Sequence, residues 1–187
     1  MYHSMFVTPQ LLLTSEQKAD NLYQSMMKNK SFTPDPQFWL SYASFLMDVI
    51  QPPSPTRARA LLQRAIQSVA STQHRYLTQK FAALEFKSPN GDAERGRTIF
   101  EGLVDTFSKK GDVWDMYLML EQSHGSAENV RDLFERMTKV GKASRIRSVF
   151  KKWAEWESSV GNKKGVEKVK ALEEGWREKK AEKGEDA

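Results

Sequence analysis

The stretch VWDMYLMLEQSHGSAENVRDLFERM, residues 113–137, contains a pattern that organises the whole chain. Trp114, Tyr117 and Glu121 stand at positions i, i+3 and i+7, Gly125 follows, and Arg131 precedes a Leu-Phe-Glu triplet. The same order of residue types returns along the chain at a regular interval. The stretch is therefore one copy of a repeat, and its side chains are needed in every copy.

The repeat is clearest when its first anchor positions are aligned, which fall at residues 39, 78, 114 and 150 and are spaced by 39, 36 and 36 residues. Gly91 takes the place of Gly125 one period upstream, and Gly161 follows the last copy. The signature residues are Trp39, Tyr42, Phe81, Glu85, Arg97, Trp114, Tyr117, Glu121, Arg131, Phe150, Trp153 and Glu157. A period near 36 residues is typical of a helical hairpin.

Each repeat contains two kinds of helix. The first, such as residues 113–122, is apolar on nearly every face and must be covered on two sides, as happens when repeats stack. In the second, Val130, Leu133, Phe134 and Met137 form one apolar face at i, i+3, i+4 and i+7. We predict an all-α fold, a right-handed α-α superhelix of four to five hairpins.

The predicted array is a single domain, residues 1–178. It comprises the second helix of a partial repeat at 15–30 and repeats at about 36–70, 73–107, 111–140 and 144–176. A disordered charged tail is predicted after it, at 179–187. Residues 1–7 resemble the end of a first-type helix, so the chain is expected to begin inside a repeat. Ser126 and Asp92 are predicted helix N-caps.

The recurring aromatic residues are interpreted as core, because a catalytic residue is needed once whereas a packing residue is needed in every repeat. The acid and the base of the signature also recur together, Glu121 with Arg131 and Glu85 with Arg97. Our hypothesis is that each set pairs across the two helices of one hairpin and fixes their register.

The composition excludes several kinds of chemistry. The chain has no cysteine, which rules out disulfides, thiol catalysis and Cys-based zinc sites. His3, His74 and His124 have no carboxylate at ligand spacing, and no Gly-rich phosphate loop or nucleophile elbow is present. We expect no metal, no cofactor, no small-molecule substrate and no enzymatic activity. The sequence has no run of about 20 apolar residues, so no membrane-spanning helix is predicted.

Positive charge is concentrated towards the C-terminal end. The formal net charge is +5, and the last 49 residues hold 14 Lys or Arg against 9 Asp or Glu, which accounts for all of it. A run free of acids contains Lys139, Lys142, Arg145, Arg147, Lys151 and Lys152. It is either a solvated helix face or an electrostatic contact with RNA phosphates or an acidic protein segment.

The signature Trp-x-x-Tyr-x-x-x-Glu, with Gly and Arg-x-Leu/Ile-Phe-Glu after it, resembles the half-a-tetratricopeptide (HAT) repeat family. That resemblance implies a place in an RNA-processing assembly. The strings RARALLQRAIQSV, KFAALEF, GDAERGRTIFE and VRDLFERM are most similar to the repeats of large nucleolar ribosomal-RNA-processing factors.

This closer resemblance implies a non-catalytic scaffold for small-subunit pre-rRNA processing in the nucleolus. Its partners would be protein components of the pre-ribosome, with pre-rRNA or snoRNA contacts also possible. Two alternatives stay open: a direct RNA-binding module that uses the basic C-terminal face, and a HAT subunit of a splicing or mRNA 3′-end cleavage complex.

Overall fold

The computed structural model describes residues 14–182, and every regular element in that range is helical. The helices are α1 Ser15–Met26, α2 Pro36–Ser44, α3 Pro55–Ser68, α4 His74–Lys87, α5 Ala93–Thr106, α6 Gly111–His124, α7 Ala127–Met137, α8 Ala143–Ser159 and α9 Lys163–Glu182. A π-helical turn, Phe45–Val49, continues α2, and a 3-10 turn, Ser71–Gln73, precedes α4. The predicted all-α class is confirmed.

Polar side chains define where several helices begin. Thr14 accepts a hydrogen bond from the backbone N–H of Gln17, whose side chain binds back to Thr14, and this capping box starts α1. Asp35 caps α2 directly before Pro36. Ser126 caps α7, as predicted, by accepting from the N–H of Asn129 at 3.1 Å.

The chain forms two compact units, one ending at Asp92 and the other beginning at Ala93. In the first unit, α2 packs on both α3 and α4. The rings of Tyr23 on α1 and Tyr42 on α2 stack with centroids 4.6 Å apart. Trp39, Tyr42, Leu46 and Leu77 are almost completely buried at the centre of this unit, so the first-type helices supply most of its core.

The second unit repeats the same aromatic contact twice. Phe100 on α5 stacks on Tyr117 of α6 at 5.0 Å, and Phe134 on α7 stacks on Trp153 of α8 at 5.6 Å. Each stack joins a second-type helix to the first-type helix that follows it. Offset ring pairs of this kind add to the stability that their burial already provides.

One boundary differs from the sequence prediction. Helix α9 continues to Glu182, so residues 179–182, assigned to a disordered tail, are helical. Lys, Glu and Ala favour helices, and Lys179 and Lys180 in the last turn interact favourably with the helix dipole. The predictions for residues 1–7 and 183–187 lie outside the described residues, and the single array remains a prediction, since the repeat at 73–107 contains the boundary between the units.

Candidate binding surface and the repeat node

The signature glutamates of α4, α6 and α8 each lie at a point where several elements meet, here called the repeat node. In the second unit, Arg97 on α5 donates through Nε and Nη2 to the two carboxylate oxygens of Glu121 on α6, at 2.6 and 3.1 Å. The Glu121 side chain has no exposed surface. A forked pair of this kind fixes both distance and orientation.

The same fork recurs at matching positions. Arg59 on α3 binds Glu85 on α4 at 2.7 and 2.9 Å, and Arg131 on α7 binds Glu157 on α8 at 2.7 and 3.0 Å. Glu121 therefore pairs with the arginine of the preceding repeat, and Arg131 pairs with Glu157 of the following repeat, so the predicted pair of Glu121 with Arg131 within one hairpin was wrong. Helix α6 packs on α5 and on α7, and residue spacing alone does not tell which neighbour supplies the arginine.

Each node also binds a residue that follows its glutamate, either in the turn after the helix or in the first turn of the next helix. Glu121 accepts from Asn129 Nδ2 in the first turn of α7 at 3.1 Å, Glu157 accepts from Asn162 Nδ2 at 2.8 Å, and Glu85 accepts from the backbone N–H of Asp92 at 2.9 Å. One buried carboxylate thus joins the preceding repeat to the chain that follows its own helix.

The node explains the signature glycine. A Cβ atom at Gly125 would lie 1.8 Å from Oε2 of Glu121, and one at Gly91 would lie 2.4 Å from the carbonyl oxygen of Glu85. In the last repeat the residue against the carboxylate is Gly165, where a Cβ would lie 2.5 Å from Oε2 of Glu157. Gly161, matched from the sequence, instead has a φ of +74° with open space around it.

At the Glu157 node, hydrogen bonds favour the charged forms of the glutamate and of Arg131. The bonds from Arg131, Asn162 and Trp153 outweigh burial and lower the pKa of the Glu157 carboxyl. The bond to Glu157 likewise raises the pKa of the Arg131 guanidinium. The pair is therefore ionised at neutral pH.

A second recurring cluster combines an acid, a tyrosine and an arginine from three successive helices. Tyr42 donates to Asp20 at 2.8 Å, and Arg57 also donates to Asp20. Burial and the bond to Asp20 raise the pKa of Tyr42 to about 12, which keeps its hydroxyl protonated as a donor.

Its counterpart in the second unit contains Glu101, Tyr117 and Arg136. Tyr117 donates to Glu101 at 3.0 Å, and Arg136 Nη2 donates to Glu101 at 2.6 Å. The bond from Arg136 lowers the pKa of Glu101, and burial raises the pKa of Tyr117. No repeat motif predicts either cluster, because Arg57 and Arg136 occupy different positions of the repeat.

The aromatic signature residues use their polar atoms inside the fold. Trp39 donates to the carbonyl of Thr33 and Trp114 to the carbonyl of Ser108, each at 2.8 Å and each six residues upstream. Phe81, Trp114, Tyr117, Phe150 and Trp153 are buried as well. The geometry thus assigns these side chains to the architecture of the repeats.

The cationic run does not form one face, because neighbouring positions on α8 are rotated by about 100°. Arg145 donates to the carbonyl of Gly111 at 3.1 Å and lies 3.7 Å from Asp115, while Lys152 lies 3.3 Å from Asp115. These two cations lie against α6.

Two more members pair with an acid four residues away in the chain. Lys139 lies 2.8 Å from Glu135, and Lys151 lies 3.9 Å from Glu155. Both lysines are exposed, and such surface pairs contribute little to stability.

Lys142 and Arg147 are exposed, and within residues 14–182 neither forms an ion pair. Arg147 lines an open cavity of about 570 Å³ together with Trp176 and Lys180 of α9. Helix packing thus places an aromatic ring beside cations that are distant in sequence. The cavity residues Arg147, Trp176 and Lys180, together with the exposed Lys142 at the start of α8, are called the basic edge below.

Other kinds of site find no support in the part of the chain that the structure describes. There, no group of three or more His, Asp or Glu side chains is placed to hold a metal ion. No helix in that part is long and apolar enough to cross a membrane.

Recurring nodes on stacked hairpins define a helical-repeat protein. A sequence model described as "Suppressor of forked protein (Suf)" matches residues 12–183, and the chain belongs to this family. The resemblance to HAT repeats is thereby confirmed.

Individual relatives carry names from ribosomal RNA biogenesis. The chain is 39% identical over 153 residues to the Schizosaccharomyces pombe "rRNA biogenesis protein rrp5", which covers 81% of this chain and 9% of that protein. It is 37% identical over 156 residues to the human "Protein RRP5 homolog", covering 83% of this chain and 8% of that protein. The chain therefore spans less than a tenth of the length of these relatives.

Proposed function

We propose that this chain is a non-catalytic scaffold in ribosome biogenesis, which supports small-subunit pre-rRNA processing in the early nucleolar pre-ribosome. The observation that carries the proposal is the similarity to RRP5 proteins over about four fifths of the chain. The recurring ion pairs of the repeats support it, because they hold helices together and leave the exposed surfaces of those helices for partners.

The test is association with pre-ribosomal particles. The tagged chain, in its natural full-length context, is purified from nucleolar extract with and without ribonuclease, and small-subunit pre-rRNA intermediates are measured after its depletion. We expect co-purification of pre-ribosomal proteins that survives ribonuclease, and accumulation of uncleaved small-subunit precursors. Co-purification with splicing or mRNA 3′-end cleavage factors instead would favour the alternative HAT-subunit function.

Direct contact with pre-rRNA or snoRNA is a second candidate, supported by the basic edge. The first turn of α8 holds no acid, although an acid would be favourable at that end of a helix. Lys142 and Arg147 are unpaired within the described residues, and Trp176 offers a ring for base stacking. A few phosphate contacts would give weak binding that depends strongly on salt.

Salt titration distinguishes this contact from the scaffold function. Each phosphate contact to single-stranded RNA contributes about −0.7 to the slope of log K against log salt. We expect Arg147→Gln and Lys142→Gln each to reduce the slope by about that amount. Lys152→Gln is the matched control, because Lys152 already lies against Asp115. Binding is measured by fluorescence anisotropy with an oligo(U) probe. Equal effects of the three substitutions on the salt slope would contradict the assignment of RNA binding to the basic edge.

A further inference from the structure

A groove with an apolar floor crosses the first unit between α2 and α4. Its cavity has a volume of about 510 Å³ and is open to solvent. Its apolar lining includes Leu40, Phe45 and Leu84, which are buried or half-buried and are called its floor, and Val49, which is 53% exposed. Cavities of this size accommodate several side chains of a ligand or partner.

Local structure keeps the groove open. The π-helical turn closes with a hydrogen bond from Ile50 N–H to the Phe45 carbonyl at 3.0 Å. This wider turn lets both Phe45 and Val49 line the groove. Ser41 and Ser44 on α2 and Ala83 on α4 leave space between the helices, because their side chains are small.

The charge around the groove is positive, and no acidic side chain of the groove lining neutralises it. Lys80 and Lys87 lie seven residues apart on α4, about 10 Å along the helix axis. No Asp or Glu lines the groove, and neither lysine forms an ion pair with a described residue. Lys80 instead lies over the ring of Tyr76, 5.5 Å from its centroid.

We propose that this groove binds an amphipathic helix of a protein partner. The apolar stripe of that helix packs on the floor, and two acidic side chains about two turns apart pair with Lys80 and Lys87. The inference rests on the proposed scaffold function and specifies one of its contact surfaces. A single-stranded RNA would require a row of cations along its backbone, whereas this groove has two lysines over an apolar floor.

The test uses the full 187-residue chain and a synthetic helical peptide of about 18 residues. The peptide has a Leu stripe flanked by two Glu seven residues apart, and the comparison peptide has Lys in place of Glu. We expect saturable binding of the Glu peptide, at least tenfold tighter than the Lys peptide, with NMR shifts at the methyl groups of Val49, Ala83 and Leu84.

Two variants test the groove in different ways. Lys80→Glu combined with Lys87→Glu should weaken the Glu peptide at least tenfold, while Lys28→Glu with Lys30→Glu, the same charge change on exposed residues outside the groove, should change affinity less than twofold. Ser41→Trp should block the groove without any change of charge, and Ser25→Trp on the exposed side of α1 is its control.

Several results would overturn the proposal. These are equal affinity for the two peptides, methyl shifts outside the groove, and a larger loss of oligo(U) than of peptide binding in the Lys80/Lys87 variant. Self-association of the chain that Ser41→Trp abolishes would assign the groove to a second copy and would also overturn it. Peptide binding is measured without the pre-ribosome, so this inference and the proposed function can fail separately.

Discussion

Glu121 shows how one residue can determine the identity of several others. Its buried carboxylate accepts from Arg97 of the preceding repeat and from Asn129 of its own hairpin. A buried carboxylate is costly unless its oxygens are satisfied, so these donors are required wherever the glutamate occurs. The residues of the Trp-Tyr-Glu-Gly-Arg signature therefore recur together because one packing arrangement of helices requires all of them.

The glycine of the signature gives a prediction at the same scale. In Gly125→Ala the new Cβ would displace the Glu121 carboxylate from its partners. We expect the free energy of unfolding to fall by about 1–3 kcal/mol, measured by urea denaturation. Gly102→Ala is the control, because a Cβ there meets nothing within 4 Å in the exposed face of α5. That change should raise stability by up to about 1 kcal/mol, and a similar loss in both variants would contradict the steric explanation.

A buried amide gives a second residue-scale prediction. Gln79 on α4 is 4% exposed, and its Nε2 has no hydrogen-bond partner among the described residues. An unsatisfied buried donor costs about 1–3 kcal/mol, so Gln79→Met should raise the melting temperature. Scanning calorimetry that finds a lower melting temperature would show that the amide is satisfied in solution.

At the scale of the element, the sequence predicted the helices well and their neighbours poorly. Apolar periodicity and Ser126 placed α7 correctly, because both signals lie within the helix itself. The partner of Glu121 depends on which side of α6 faces which helix, and that is a property of packing. For the same reason the sequence grouped Lys152 with Arg147, although α8 points them in different directions.

Helix capping provides a prediction for α7. Ser126→Ala removes the acceptor of the Asn129 N–H and should cost about 1 kcal/mol, or about 2–4 °C in melting temperature. Ser123→Ala, which changes an exposed serine near the end of α6, should have little effect. The melting temperatures are measured by circular dichroism, and equal decreases in the two variants would argue against a capping role for Ser126.

At the scale of the whole molecule, the fold class and the family were predictable because the same pattern occurs several times. A departure from the pattern in one repeat is therefore outweighed by agreement in the others. The proposed binding surfaces were less predictable, because they depend on residues that do not repeat. Trp176 approaches Arg147 only because α8 and α9 pack together. The groove beside Lys80 is lined by residues of a π-helical turn, which no sequence motif predicts.

The response of global stability to pH follows from the lowered pKa values of Glu157 and Glu101. A carboxyl with a lower pKa in the folded state stabilises the fold above its unfolded pKa, near 4.3, and loses this contribution as the pH falls through the folded value. We expect the melting temperature to fall steadily below about pH 4.5. Glu157→Gln should show a shallower fall, whereas Glu174→Gln, an exposed residue, should follow the parent chain; parallel curves for all three would contradict this assignment.

The central claim is that the signature joins each repeat to the one before it. A double-mutant cycle tests it most directly, with Glu121→Gln combined in turn with Arg97→Gln and Arg131→Gln and the free energy of unfolding measured for every variant. We predict a coupling of about 1–3 kcal/mol between Glu121 and Arg97, and less than about 0.5 kcal/mol between Glu121 and Arg131. Strong coupling to Arg131 and none to Arg97 would contradict the claim and return the pair to a single hairpin.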